Sequence, residues 1–143
     1  MGRIEYTTNK ITKAMCSLVS FLRYTDEEES MYLSRKLLTL DTELWLENEQ
    51  IMILHFEKPT VGNKVLNCDT ALPVSSIRAS LLQEVVRRLL NCSEYLAVEN
   101  KQLILSRLAK KLINSGHSAR STKILLVQGV MKYLYKLKAS KLD

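Results

Sequence analysis

The chain has 143 residues with 21 Lys+Arg against 15 Asp+Glu, 46% apolar and 25% charged, the length and balance of one globular domain. That composition excludes wholesale disorder and collagen-like repeats, and no run approaches the ~18 apolar residues of a membrane span or resembles a signal peptide. Cys16, Cys68 and Cys92 are widely spaced, form no Cys-x-x-Cys pair and cannot all be paired within the chain, so a reducing, intracellular compartment (cytoplasmic or nuclear) is expected.

The formal charge of +6 is unevenly placed. Residues 1–77 carry 8 Lys+Arg and 11 Asp+Glu, and residues 78–143 carry 13 and 4, so the halves stand at −3 and +9. A step this large suggests an anionic partner for the C-terminal half; the plainer reading is a solvated, Lys/Arg-rich helix surface.

In chain order, Ile11, Met15, Leu18 and Leu22 recur at helical spacing and predict an amphipathic helix over about Asn9 to Arg23, capped by Thr8 or Asn9. Asp26-Glu27-Glu28-Glu29-Ser30 then predicts a surface loop. The alternation Leu40-Asp41-Thr42-Glu43-Leu44-Trp45-Leu46 predicts a half-buried strand. After the polar break Glu47-Asn48-Glu49-Gln50, the run Ile51-Met52-Ile53-Leu54-His55-Phe56 predicts a returning strand covered on both faces, with a short buried helix as the competitor. A hairpin alone needs a third strand or a helix layer to persist in water. Val61 to Pro73 reads as a loop.

Three helices follow. The first runs from about Ser76 to Asn91 on Ile77, Leu81, Leu82, Val85 and Leu89. The second runs from about Ala97 to Asn114 on Ile104, Leu105, Leu108 and Leu112 and stops at Gly116. Ser118 caps the third, with Ile124, Val127, Met131 and Leu134 along one face. Gly129 interrupts it at a cost of roughly 1 kcal/mol, which implies a close neighbouring backbone or a locally weak helix. The fold class is therefore mainly α with a small β-hairpin (α+β). Its expected division is an N-terminal helix and hairpin over 1–74 and a basic three-helix bundle over 75–143, with one continuous domain as the other possibility.

Catalytic constellations are thin. His55 and His117 have no Cys or carboxylate at metal-ligand spacing and read as structural, so no metal or other cofactor is expected. The four glycines are isolated and form no phosphate loop. Cys92 follows a helix C-terminus, where the dipole disfavours a thiolate. Tyr24-Thr25-Asp26-Glu27 is like the Tyr-x-Asp-Asp of reverse transcriptases, where paired carboxylates hold metal ions. Here the acids run on into Glu28, Glu29 and Ser30, which supply no buried strand, and the match reads as coincidence. Trp45 reads as a packing residue, and Met15, Met52 and Met131 as core fillers. Tyr133 and Tyr135 are candidates for base stacking, against the plainer reading of an amphipathic surface.

Downstream, a longer pattern accumulates. Thr39-Leu40-Asp41 precedes the hairpin and Phe56-Glu57-Lys58-Pro59-Thr60 closes it. Ala71-Leu72-Pro73 follows, then Leu82-Gln83-Glu84-Val85-Val86-Arg87-Arg88-Leu89-Leu90-Asn91-Cys92-Ser93-Glu94, Lys111-Leu112-Ile113-Asn114-Ser115-Gly116-His117-Ser118 and Gly129-Val130-Met131-Lys132-Tyr133. In this order, over about a hundred residues, these segments resemble the part of retroelement-type reverse transcriptases that follows the catalytic palm. Leu38 and His117 depart from that pattern, where the family often has proline and tyrosine. The fingers and palm, with their metal-binding aspartates, have no counterpart. The resemblance implies a C-terminal piece, a hairpin next to the primer end and a thumb-like bundle, without polymerase activity.

What the resemblance carries over is contact with a primer–template-like duplex through its phosphate backbone, which gives the charge step a purpose. The candidate positions are Lys58, Arg78, Arg87, Arg88, Arg107, Lys110, Lys111, Arg120 and Lys123. The competing reading is a protein-interaction module, a helical surface for a missing palm and fingers domain or for self-association, with no nucleic-acid role.

Overall fold

The computed structural model describes residues 2–18, 36–58 and 62–142. The chain divides into two compact units, Met1–Leu37 and Leu38–Asp143. The first contains helix α1, Gly2–Leu18. It begins well before the expected Asn9, so Thr8 and Asn9 lie inside the helix and not at its start. Ile11, Met15 and Leu18 are exposed. The downstream end expected at Arg23, the acidic loop and Tyr24–Glu27 lie outside the described residues.

The second unit, with β1 starting one residue before it, holds a three-stranded antiparallel sheet in the order β1-β2-β3 (Leu37–Thr39, Thr42–Glu47, Gln50–His55) and helices α2 (Val74–Leu90), α3 (Val98–Asn114) and α4 (Ala119–Leu142). The fold is mainly helical with a small sheet, the α+β class expected. The expected division at residue 74 runs through this unit: the sheet stands with the basic helices because the two share a core.

Leu40 and Asp41, expected within a strand, form the turn between β1 and β2. Leu40 takes φ +53°, and Thr42 Oγ1 donates to Thr39 O at 2.9 Å. Between β2 and β3 the turn is Asn48-Glu49, both at positive φ (49° and 63°), the twist that a two-residue hairpin favours. Register runs from Thr42 opposite His55 to Glu47 opposite Gln50 and pairs Trp45 with Met52.

One sheet face, carrying Trp45, Met52 and Leu54, packs on Cys92, Leu96 and Ile104. This is the helix layer that the hairpin needs. On the other face Leu46 and Ile51 are exposed, Ile53 is half-buried and His55 is buried, so β3 is covered on that face only towards its C-terminal end. The outer edge of β3 is occupied instead. Ser93 N–H donates to Ile53 O at 2.8 Å, Ile53 N–H donates to Ser93 Oγ at 2.7 Å, and Tyr95 Oη donates to Ile51 O.

The main core joins Ile77, Leu81, Val85 and Leu89 of α2 to Leu108 and Leu112 of α3 and to Leu125 and Tyr133 of α4. α3 ends as expected. Gly116 at φ +89° allows Gly116 N–H to reach Ile113 O at 3.0 Å and His117 N–H to reach Leu112 O at 3.1 Å, the paired closure of a left-handed helix end. Ser118 caps α4 through Oγ, accepting from Ser121 N–H at 3.1 Å.

The face of α4 differs from expectation. Thr122, Leu125, Gly129 and Tyr133 are buried, while Ile124, Val127, Met131 and Leu134 are all exposed. The helix is apolar on two sides, and sequence periodicity favours neither. Gly129 decides it, because a Cβ there would overlap the Val85 side chain. The close neighbour is a side chain of α2, not a backbone.

Candidate nucleic-acid interface

The nine candidate cations fall into two groups. Arg87 and Arg88 end α2, where the helix dipole favours positive charge. Arg88 is 4% exposed and Lys111, on α3, is 7% exposed. Arg88 Nε donates to Glu84 Oε1 at 2.7 Å and its Nη2 is ion-paired with Glu57; Lys111 Nζ meets Glu57 Oε2 at 2.9 Å. Arg87 donates twice to Glu84 at 3.0 Å and pairs with Asp41. Arg88 and Lys111, expected on a solvent-facing basic surface, are thus inside the fold. Arg87 is half-exposed but held between two carboxylates.

These contacts explain several of the motif residues together. Asn91 Nδ2 donates to Asp41 Oδ2 at 3.0 Å and approaches His55 Nδ1 at 3.4 Å, tying the β1–β2 turn to the end of α2. Ser115 Oγ donates to Lys111 O at 2.8 Å and accepts from Val65 N–H at 2.9 Å, tying the loop after the hairpin to the end of α3. His117 Nε2 bonds Leu66 O at 2.9 Å. Asp41, Glu57, Glu84, Arg88, Asn91, Ser93, Lys111 and Ser115 interlock sheet, loop and helices. Their role in the structure is to hold the fold.

Burial and the nearby guanidinium groups of Arg88 and Arg87 lower the pKa of His55. Glu57 and Glu84 are lowered too, although burial alone raises them; hydrogen bonds and charge from Lys111 and Arg88 on Glu57, and from Arg87 and Arg88 on Glu84, prevail. Burial raises the pKa of the Cys92 thiol, which also donates to Arg88 O at 3.2 Å, the setting of an inert thiol.

Lys58, Arg78, Arg107, Lys110, Arg120 and Lys123 form the second group, and all are exposed. Arg78 Nη2 donates to Gln128 Oε1 at 2.6 Å, which fixes the guanidinium between α2 and α4. The structure brings Arg78 and Arg120 to one cleft, whereas Arg107 lies beside His55, Glu57 and Arg88. The six therefore do not make a single patch.

Sequence reasoning missed the rest of α4. Lys132, Lys136 and Lys138 are exposed and, like Arg120 and Lys123, form no ion pair among the described residues; Lys141 pairs with Glu94. The absence of any acid from Ala119 to Leu142 was the available signal. Tyr135 is exposed, whereas Tyr133 is buried in the core with Lys101 Nζ 6.0 Å from its ring centroid. Trp45 packs as expected; Met131 is exposed and fills no core.

Among the described residues no three His, Cys, Asp or Glu side chains gather as a metal site, and no helix is long and apolar enough to cross a membrane. The fold and its basic helices thus define a small α+β chain with an acid-free cationic helix. Comparison with family models, curated proteins and solved structures finds no match to the chain.

Proposed function

We propose that this chain is a non-catalytic fragment derived from a retroelement-type reverse transcriptase, acting inside the cell, and that its basic helical half binds the backbone of a primer–template-like duplex. The observation that carries this reading is α4, with five exposed cations that form no ion pair among the described residues and no acid along its length. Such side chains neutralise phosphates and release counterions whatever the base sequence. With Arg88 and Lys111 committed to Glu57, the contact set becomes Arg120, Lys123, Lys132, Lys136 and Lys138 of α4 with Arg78 beside Arg120, while Lys58, Arg107 and Lys110 stand on other elements.

Fluorescence anisotropy of a labelled RNA–DNA hybrid, titrated with the chain at several salt concentrations, tests it. Six phosphate contacts weaken binding by about 10³ between 50 and 200 mM salt. No binding, or binding indifferent to salt, overturns the proposal.

A second reading has its own observation. The exposed stripe Ile124, Val127, Met131 and Leu134 lies opposite the buried face of α4 and suits a protein-interaction module, covering a partner domain or a second copy. Under that reading the purified chain self-associates in sedimentation velocity, Met131→Glu returns it to monomer, and duplex binding is absent.

A further inference from the structure

A cleft of about 420 Å³ opens between the first turns of α2 and α4, within the size range of small-molecule sites. Its floor is apolar, made by Ile77, Leu81, Leu112 and Leu125. Arg78 and Arg120 stand in its lining, and no carboxylate does.

Three features of this lining are locally unfavourable for an empty scaffold. Arg120 is in the first turn of α4, where the dipole opposes a cation. α2 starts at Pro73 with no side-chain cap and no acid in its first turn, so its positive end is uncompensated. Thr122, also in the lining, is 4% exposed, and its hydroxyl has no hydrogen-bond partner. An anion offsets the first two, and an oxygen-bearing head group supplies an acceptor for the third.

We propose that this cleft is a binding site for a small amphipathic anion, with a carboxylate or phosphate-monoester head between Arg78 and Arg120 and a short apolar body over Ile77, Leu81, Leu112 and Leu125. The guanidinium of Arg78 gives one donor to Gln128, outside the lining, and keeps further donors that a head group in the cleft can engage. The apolar floor separates this site from duplex binding, since a phosphodiester backbone makes no use of it. The inference shares Arg78 and Arg120 with the duplex reading but differs from it in resting on the apolar floor.

Isothermal titration of the whole chain with octanoate, octyl phosphate, inorganic phosphate and octylamine tests it. One of the two octyl anions binds with saturable 1:1 stoichiometry, and the tighter one identifies the head group; inorganic phosphate binds at least about tenfold more weakly and octylamine does not bind. Arg78→Ala and Arg120→Ala each weaken the octyl anion by about tenfold or more, the usual loss of a charge-assisted hydrogen bond. Ser121→Phe, at an exposed position of the lining, blocks the cleft without a change of charge. Thr122→Val weakens binding while raising the midpoint of thermal unfolding, because an unpaired buried hydroxyl is removed. No binding at millimolar octyl anion, equal affinity for inorganic phosphate and octyl phosphate, or arginine variants that bind unchanged would each overturn the site. Loss of duplex binding with octyl-anion binding intact removes the nucleic-acid reading and leaves this one.

Discussion

Glu57 faces two buried cations, and that position sets what its removal costs. Arg88 and Lys111 are almost fully covered, and among the described residues Glu57 is the only carboxylate paired with Lys111. Taking the carboxylate away leaves buried charge uncompensated, at a cost of about 3 kcal/mol. Glu57→Ala is expected to lower the urea midpoint by a corresponding amount, and Glu57→Gln by less. Acid acts on the same cluster in two stages. His55 has a folded pKa below its ordinary 6.5, so the unfolded chain takes up the proton more readily. Its stabilising contribution is complete above pH 6.5 and is lost as pH falls below that value towards the folded pKa. Glu57 and Glu84 lie below their ordinary 4.5, so their contribution is complete above pH 4.5 and is lost as pH falls further. Urea midpoints measured from pH 7.5 to 3 are expected to decline in that order. His55→Gln is expected to remove the upper stage and leave the lower one. Little of this was legible in the sequence: Glu84 stands one helical turn from Arg87-Arg88, but the other carboxylate partners, Asp41 and Glu57, come from residues far along the chain.

At the scale of elements, the crossing of α2 and α4 is fitted around Gly129. Alanine there gains roughly 1 kcal/mol of helix propensity but puts a methyl group into Val85, which is fully buried and cannot move aside. Overpacking of this kind costs about 1–3 kcal/mol. Gly129→Ala is therefore expected to destabilise the chain by up to about 2 kcal/mol in urea unfolding. In a double-mutant cycle Val85→Ala makes room for the new methyl, so the pair costs about 0.5–3 kcal/mol less than the sum of its parts. The helices themselves were legible. Their apolar spacing placed α2 and α3 to within two residues, and Gly116 and Ser118 marked the junction of α3 and α4. The inward face of α4 was not, since Ile124-Val127-Met131 and Leu125-Gly129-Tyr133 are both helical stripes. The turn at Leu40-Asp41 was equally hidden, because alternation continues through it, and the pairing of Asp41 with Arg87 and Asn91 that holds the corner comes from a distant helix.

For the molecule as a whole, burial sorts the charge that composition merely counts. The basic half stands at +9, yet Arg87, Arg88 and Lys111 are engaged with carboxylates, two of which (Asp41 and Glu57) belong to the acidic half. Under the nucleic-acid proposal, neutralising Arg120, Lys123, Lys132, Lys136 or Lys138 reduces the salt slope of duplex binding by about 1 for each side chain that meets a phosphate. Arg87→Gln, half-exposed and held by Glu84 and Asp41, is expected to leave that slope unchanged. Anisotropy titrations of these variants at matched salt, with circular dichroism to confirm folding, separate the two groups.

The sequence by itself determined the α+β class, the hairpin, the three basic helices and the charge step, because periodicity, turn chemistry and composition are local properties. Tertiary structure alone decided which face of α4 turns inward, which cations remain free and how the motif residues interlock. Each of those depends on what a side chain meets from a distant part of the chain: Val85 against Gly129, Glu57 between Arg88 and Lys111, Asp41 against Arg87 and Asn91.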